Sequence, residues 1–486
     1  MDPRTPLLVG LGAVSQREED PARAREPLDL MGDAILAAGE DAGSRELLAR
    51  AGWIACPRGF WDYGDPGRAL AERIGASGAR SLLGEIGVLQ TTLFGRVGEH
   101  IARGRADVCI VTGGEAKYRN LRAQITGSGA SLRPAPGEPE EVLRPREDIF
   151  HPQEIRHGLV LPVKQYAMVE NALRIADGQS LDAHRDEVAA LWAGMSEVAA
   201  KNESAWSREV LSPEAIRDPV GGNRMLAFPY TKLHNSQWNV DQAAALIFCA
   251  AGTADALGVP ADRRVVLRAV SDSNFMLPLC EREALHRCAG FAAAGRSALA
   301  CAGLRADQVN HRELYSCFPS AVRAQQRELE VPRELPVTVT GGMAFAGGPL
   351  NNFVLQAAVK MAQVLRSDPG SVGMVNAVSG VLTKQGVSLW STEPGSPFGF
   401  ADVSAEADAN TARCELRSDA AGEARVISST VEFDAEGASR AIALAELEPG
   451  IRALATSDDR ELARAMTERD FSSEPITLDG EGSFRR

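Results

Sequence analysis

The chain has 486 residues, of which 44% are hydrophobic and 5% aromatic, and it carries a formal net charge of −13. This length predicts about two to four lobes with room for buried cores. The excess of 65 Asp and Glu over 52 Lys and Arg argues against a nucleic acid or an anionic membrane as partner, although a local basic pocket for an anionic cofactor is compatible with it.

The first apolar run, PLLVGLGAV (6–14), is too short to span a bilayer, and no small-residue cleavage site follows it. It therefore predicts a strand rather than a targeting or membrane segment. The eight cysteines are scattered without a CxxC pair, which argues against a zinc ribbon or a disulfide framework and indicates a cytoplasmic protein with reduced thiols. No histidines have metal-ligand spacing, so no metal site is expected.

Strand-like and helical patterns then alternate along the chain. PLLVGLGAV is followed by the amphipathic LDLMGDAILAAGEDAG, then by GWIAC, QTTLFGRVGEHIARG and ADVCIVTGG. This alternation predicts strand–helix–strand units and an α/β fold with largely buried sheets.

A weak internal echo supports a duplicated fold. Residues 84–113 contain a glycine turn, a helix, a polar break and an apolar strand ending in Gly-Gly, and residues 341–380 repeat that order up to Ser379-Gly380. Two α/β halves built alike explain the echo, and chance similarity between two helix–strand units is the alternative.

Two other segments differ in character. Residues 118–235 begin rich in Arg, Pro and Gly and then become helical, which is typical of a functional loop domain inserted between strands. After a PGSPFGF linker, residues 400–486 alternate short β-like runs with turns such as DAEG, which predicts an all-β tail.

Several stretches, in the same order, resemble the thiolase superfamily, and specifically the thiolase-like proteins related to sterol-carrier-protein thiolases. They cover roughly residues 1–395. The stretches are GEHIARGRADVCIVTGGEAKY, GLVLPVKQYAMVENALRIADGQS, PYTKLHNSQWNVDQAAALIFCAA, ELYSCFPSAV (313–322) and TGGMAFAGGPLNN. The all-β tail is similar to that of the type 1 group, which carries an extra antiparallel β-barrel.

The resemblance implies a thiolase fold, with two similar βαβαβαββ halves of five strands each in a five-layer αβαβα core. It places the first half at 1–117 and 236–260, the loop domain at 118–235, the second half at 261–395 and the barrel at 400–486. It further implies a coenzyme A thioester as substrate or ligand, no covalently bound cofactor, and a monomer or homodimer.

The residues of thiolase chemistry are nevertheless missing. The nucleophile position falls at or beside Gly87, and no cysteine lies between Cys56 and Cys109. Gly348 replaces the histidine of the Gly-His-Pro loop. The segment expected to hold the second cysteine (376–386) has only Asn376, Ser379 and Thr383 as candidates. Ordinary thiolysis and Claisen condensation are therefore not expected.

The YSC triplet of ELYSCFPSAV supplies the candidate catalytic residues. Tyr315 stands where the family has a histidine, and related aldolases without the nucleophile use a tyrosine in this motif. Tyr315 would be a base if its pKa were lowered, and the alternative is a tyrosine packed at a strand end. Cys317 precedes Pro319 and is either reactive or an inert buried thiol. Ser316 either caps the next helix or donates to a substrate.

Other candidates would bind the substrate. Glycines at the GGMAFAGGP turn would leave room for an acyl chain or pantetheine arm, or would only satisfy turn sterics. Basic side chains of the loop domain would meet the 3′-phosphate of coenzyme A or lie on a solvated face. The substrate-binding candidates are Gly87, His234, Gly342, Gly347, Gly348, Asn376 and Ser379, and the basic ones are Arg133, Arg144, Arg146 and Lys164. Asn351 and Asn352 are expected to cap the helix that follows them.

Three hypotheses follow from these patterns. The first is an acyl-CoA-binding protein of the acetyl-CoA acetyltransferase family that performs non-thiolytic acyl or C–C chemistry. The second is a retro-aldolase that cleaves a β-hydroxyacyl-CoA with Tyr315. The third is a non-catalytic acyl-CoA-binding or scaffold protein, and the fold alone does not separate the three.

Overall fold

A computed structural model describes residues 1–486. Its strands are β1 Pro6–Gln16, β2 Trp53–Pro57, β3 Arg80–Gly84, β4 Val108–Ala116, β5 Glu141–Leu143, β6 Met225–Ala227, β7 Tyr230–Thr231, β8 Asp241–Ala250, β9 Val265–Ser273, β10 His311–Glu313, β11 Val372–Ser379, β12 Lys384–Ser391, β13 Gly399–Asp402, β14 Glu415–Leu416, β15 Ala421–Asp434, β16 Gly437–Glu448, β17 Ile451–Ser457, β18 Pro475–Asp479 and β19 Phe484–Arg485.

The helices connect these strands and cover their faces. They are α1 Pro27–Asp41, α2 Glu46–Ala49, α3 Pro66–Arg73, α4 Gln90–Ala102, α5 Lys117–Thr126, α6 Pro152–Arg156, α7 Pro162–Ala176, α8 Leu181–Ala200, α9 Pro213–Arg217, α10 Ala251–Ala256, α11 Ala289–Ala302, α12 Pro319–Glu328, α13 Phe353–Ser367, α14 Ser404–Ala409 and α15 Arg460–Glu468. None of them is both long and apolar enough to cross a membrane.

Two runs of strands with the same internal order form the body of the protein. The first run is β3-β2-β4-β8-β1, and the second is β10-β11-β12-β9. In each run the last strand in sequence, β8 or β12, is antiparallel to both neighbours. The runs join where Leu7 and Leu8 of β1 pair with Val266 and Val265 of β9.

The second run has one strand fewer than the five expected. At the expected place, the backbone makes one sheet-like hydrogen bond, from Leu314 N to Val337 O at 2.9 Å. The chain then turns into Gly341 and Gly342, both with positive φ, so no further ladder forms.

Helices α4 and α13 form the central layer between the two runs. Phe94 of α4 lies 6.1 Å from the ring of Phe248 in β8 and 5.5 Å from the ring of Trp390 in β12. Arg366 of α13 donates to the carbonyl of Val9 in β1 at 3.0 Å, while Met361 of α13 faces Gly373 of β11. These two helices and their strands are the two units that the internal echo predicted.

The C-terminal residues form a second sheet that closes on itself. Its order is β14-β17-β16-β15-β18-β19, and Thr456 N of β17 donates to Gly482 O at 3.0 Å, next to β19. This is the predicted small barrel. It is not all-β, because Asp459 caps α15 by accepting from Glu461 N and Leu462 N, and Leu462, Ala463 and Met466 of that helix are buried.

The barrel docks on α7 of the inserted segment. Asn171 donates to Ser429 O at 2.8 Å, Ser428 donates to Met168 O at 2.7 Å, and Arg174 makes two hydrogen bonds to Asp470. Ala227 of β6 adds to β15. The inserted segment and the barrel therefore share one interface, whereas the predicted residue limits of the four segments stay a prediction.

The residues that follow the second run still belong to the large sheet. β13 pairs in parallel with β9, and the ring of Phe400 lies on Gly95 of α4, where an added Cβ would be 2.6 Å from the ring. A glycine at this position lets the last segment of the sheet pack directly on the backbone of the central helix.

We therefore expect Gly95→Ala to lower the free energy of unfolding by about 1–3 kcal/mol, because the new methyl group overpacks against Phe400. The matched control is Gly194→Ala in α8, where nothing lies within 4 Å of an added Cβ and the helix should gain up to about 1 kcal/mol. Urea unfolding of both variants measures the difference, and equal stabilisation of both would contradict the packing described.

Candidate functional site

The two central helices begin at the same point. No side chain caps α4, whose N-cap residue is Leu89, and none caps α13, whose N-cap residue is Asn352. The side chain of Gln90 donates to Oδ1 of Asn351 at 3.1 Å and so joins the two N-termini. The first N–H groups and the dipoles of both helices therefore create a partial positive charge at one place between the two runs of strands.

Buried polar atoms without a partner surround this meeting point. They are Oε1 of Gln90 and both the Oδ1 and the Nδ2 of Asn352, although the two side chains are only 4% and 2% exposed. An unsatisfied buried polar atom costs about 1–3 kcal/mol. The predicted capping role of the asparagines is wrong, because Asn351 donates to Arg58 O instead and the amide of Asn352 is free to meet a ligand.

A buried carboxylate fastens the start of α4 to the second run of strands. Asp272, near the end of β9, accepts from Thr91 Oγ1 and from Thr92 Oγ1, each at 2.6 Å. Burial raises the pKa of Asp272 to about 7, against the two hydroxyl hydrogen bonds that lower it. A carboxyl group with such a pKa exchanges protons readily near neutral pH.

The hairpin between β11 and β12 lies beside this carboxylate and is held in a strained conformation. Gly380, Val381 and Leu382 follow one another with φ of 58°, 49° and 71°, a region that valine and leucine rarely adopt. The buried guanidinium of Arg282 holds the hairpin by donating to the carbonyls of Gly380, at 3.2 Å, and Val381, at 2.6 Å. Ser379 and Lys384, a cross-strand pair, flank the turn.

Tyr315 lies near the start of α13, and its surroundings favour the alternative of a packed tyrosine. Its ring stands edge-on to Phe353 at 6.0 Å, and the side chain of Gln325 holds both its N–H and its carbonyl. Burial, and then the nearby Cys317, raise the pKa of Tyr315 well above its usual value. The condition under which Tyr315 would act as a base, a lowered pKa, is therefore not met, because no cation stabilises the phenolate.

Ser316 and Cys317 make contacts that support the fold. Oγ of Ser316 accepts from Met343 N at 3.0 Å, so it braces the neighbouring turn, and it does not cap α12, whose N-cap residue is Phe318. Burial raises the pKa of Cys317 to about 12, and its carbonyl accepts from Ser236 Oγ at 2.9 Å. The thiol is therefore protonated at neutral pH.

The glycines of the GGMAFAGGP turn contact the protein itself. An added Cβ would lie 2.7 Å from Met195 Sδ at Gly342 and 3.1 Å from Ser236 Cβ at Gly348, and at Gly347 it would overlap the amide of Gln242. Gly342 and Gly347 also have positive φ. Turn geometry and protein packing are enough to explain these glycines, and their contact with an acyl chain stays a prediction.

Three other candidates have neighbours within the protein that do not include Gln90 or Asn352. Gly87, with φ of 99°, stands three residues before α4 and faces Pro145. Asn376 donates to Gln325 on the opposite face of β11 from α13. His234 is buried, its Nδ1 accepts from Thr231 N while Nε2 has no partner, and burial lowers its pKa to about 4.

The basic candidates divide into two groups. Arg133 pairs with Glu26 and Asp29, and Lys164 pairs with Glu432 of the barrel. The charges of these two basic side chains are therefore already balanced by carboxylates of the protein. Arg144 and Arg146 are exposed, and their contact with a phosphate stays a prediction.

Gln90, Thr91, Asp272 and Lys384 were not singled out from the sequence, and Asn352 was considered there only as a helix cap. A polar run before an apolar helix (LQTT) and an acidic residue closing a buried strand (SDS) were visible signals. Asp272 and Lys384 come close together because β12 pairs with β9, and this pairing is seen only in the structure.

We expect iodoacetamide at pH 7.5 to modify Cys301 first in the native protein, because Cys301 is half-buried and the other seven cysteines are buried. Cys317, with its raised pKa, should react on the order of a hundredfold more slowly. Peptide mapping over time measures both rates, with urea-unfolded protein as the control in which the two thiols react alike. Rapid modification of native Cys317 would show a reactive thiol after all.

We expect Asp272→Asn to raise the free energy of unfolding at pH 8 by at least about 1 kcal/mol. Between about pH 4 and 7 the folded protein, with its raised Asp272 pKa, binds more protons than the unfolded chain, so wild-type stability falls as pH rises through this window. The gain should vanish near pH 4. Urea unfolding at both pH values, with the exposed Asp262→Asn as control, tests this, and an equal gain at both would refute it.

Comparison with known proteins agrees with this architecture. No protein-family model and no curated protein sequence matches the chain. Among solved structures, the monomeric SCP2-thiolase-like protein type 1 from Mycobacterium smegmatis is 28% identical with a TM-score of 0.85, and the match covers 100% of this chain and 99% of that one.

Two more distant structures share the fold. An Ltp2-ChsH2(DUF35) aldolase is 17% identical with a TM-score of 0.61 and covers 81% of this chain and 99% of its own. The dimeric peroxisomal thiolase of Saccharomyces cerevisiae is 15% identical with a TM-score of 0.57, covering 81% and 98%. The chain therefore has the thiolase fold, and over its full length, barrel included, it is similar to the SCP2-thiolase-like protein type 1.

Proposed function

We propose that the protein binds a coenzyme A thioester with the thioester group at the shared N-termini of α4 and α13, and that it performs non-thiolytic acyl or C–C chemistry there. The observation that carries this proposal is the pair of uncapped helix N-termini with the unpartnered amides of Gln90 and Asn352 between them. Thiolases act on coenzyme A thioesters, and the shared fold supports the same ligand class here.

The charge at this point suits a thioester. A thioester oxygen accepts hydrogen bonds, and it gains negative charge when the neighbouring carbon is deprotonated or attacked. The amide Nδ2 of Asn352 and the free N–H groups of two helices are donors that need no reorganisation to meet that charge. The same groups are costly to keep buried when nothing binds to them.

A covalent thioester intermediate is not available. No cysteine lies in α4 or in the turn before it, and the thiol of Cys317 is protonated because its pKa is about 12. Proton transfer without a nucleophile has a better candidate in Asp272, whose pKa of about 7 suits a general acid or base.

The two other hypotheses make different demands. A retro-aldolase that uses Tyr315 as base needs a phenolate, and the raised pKa of Tyr315 opposes one. A non-catalytic acyl-CoA-binding protein needs the same pocket but no proton-transferring group, so it predicts binding without turnover.

We expect calorimetry to detect acetyl-CoA and acetoacetyl-CoA with dissociation constants in about the micromolar range. Asn352→Ala should weaken binding about tenfold, which corresponds to one lost hydrogen bond of about 1.4 kcal/mol, without loss of stability, since the amide has no partner in the protein. Tyr315→Phe should bind within about twofold of wild type.

The matched control is Asn410→Ala, on the exposed C-cap of α14, which should leave affinity unchanged. Absence of binding to any coenzyme A ester would refute the proposal. Binding that Asn352→Ala does not weaken would place the thioester elsewhere.

A further inference from the structure

Strand alternation places Lys384 beyond the first turn of α4. Gly386 of β12 faces α4, because an added Cβ there would overlap Thr91 Oγ1 and lie 2.6 Å from Asp272 Oδ1. Residues two apart on a strand share a face, so Lys384 projects on the side of α4 as well.

The direction of the helix settles which end of α4 Lys384 approaches. Thr91 of α4 is next to Gly386 of β12, and Phe94, one turn further along the helix, contacts Trp390, which is further along the strand. The helix and the strand therefore run in the same direction. Lys384 is therefore off the N-terminal end of α4, about 7 Å along the strand from Gly386, on the side where the unpaired N–H groups point.

The amine of Lys384 has no partner within the protein. The side chain is 1% exposed, it forms no hydrogen bond or ion pair, and burial lowers its pKa while the carboxylate of Glu147 opposes that shift. The N-terminus of α4 is also positive. This environment favours a neutral amine, which is a nucleophile.

A proton donor lies on the same face. Asp272 is opposite Gly386 in the β9–β12 pair, so it is the diagonal neighbour of Lys384, with about 7–8 Å between such positions. A long side chain spans part of that distance, which leaves room for a small carbonyl group between the amine and the carboxyl group.

We propose that Lys384 is a nucleophilic amine that forms an imine with the ketone carbonyl of a 3-oxoacyl thioester bound at the helix N-termini. The lone pair of Nζ attacks the C3 carbonyl carbon to give a carbinolamine. Asp272 supplies the proton with which the hydroxyl group leaves as water, and it takes up the remaining proton of the nitrogen as the C=N bond forms. One amine and one ketone thus become one imine and one water, and no oxidant or reductant takes part. This assignment rests on the proposed function, because the thioester site positions the ketone.

Reductive trapping tests the proposal. Borohydride added to the wild-type protein with acetoacetyl-CoA should leave one stable adduct per chain, and peptide mapping should place it on Lys384. Lys384→Met should lose the adduct at least tenfold while remaining folded by circular dichroism, since no hydrogen bond is removed. Lys201→Met, at the exposed C-cap of α8, should keep it.

The outcomes separate this proposal from the proposed function. Binding of acetoacetyl-CoA without a borohydride adduct on Lys384 would overturn the imine and leave thioester binding intact. An adduct from free acetoacetate in a protein that binds no coenzyme A ester would support the amine and overturn the thioester site. An acyl group on Lys384 without any borohydride would show aminolysis of the thioester, which also overturns the imine.

Discussion

The protein depends on one constraint, which is that two helices packed between two runs of strands must begin at the same point. Phe94 contacts strands on both sides of the central layer, and Gln90 touches Asn351 at the start of the other helix. A helix N-terminus ordinarily finds a capping side chain or water. Here Gln90 and Asn352 are buried and no side chain caps either helix, so the fold itself creates a buried, electropositive centre with unpartnered amide atoms.

The groups around that centre form a different set from the thiol and imidazole of thiolases. In the proposed site, the amides of Gln90 and Asn352, the carboxyl group of Asp272 and the amine of Lys384 take their place. Each is buried, and together they offer hydrogen-bond donors, a proton-exchanging acid and a nucleophile of another kind. Loss of the usual catalytic residues therefore does not leave this centre chemically empty.

The sequence predicted the architecture better than the chemistry. Alternating strands and helices and the echo between 84–113 and 341–380 were readable because they depend on local periodicity. Helix α15 was missed because its window, RELARAMTE, is highly charged, although Asp459 before it is a capping signal. The state of Tyr315 was unpredictable, since its pKa depends on neighbours from distant segments. Lys384 could not be singled out from the sequence, because the face of the sheet on which its side chain lies depends on strand register.

The pairing of β1 also has a consequence for synthesis of the chain. Pro6 at the start of β1 pairs with Ala250, and Leu7 pairs with Val266, so this strand has no partner until the ribosome has made more than half of the protein. At about 5–20 residues per second, the nascent apolar segment waits for tens of seconds with an unpaired edge. Such a segment is a substrate for chaperones during that interval, and the yield of active protein should depend on them more than its final stability suggests.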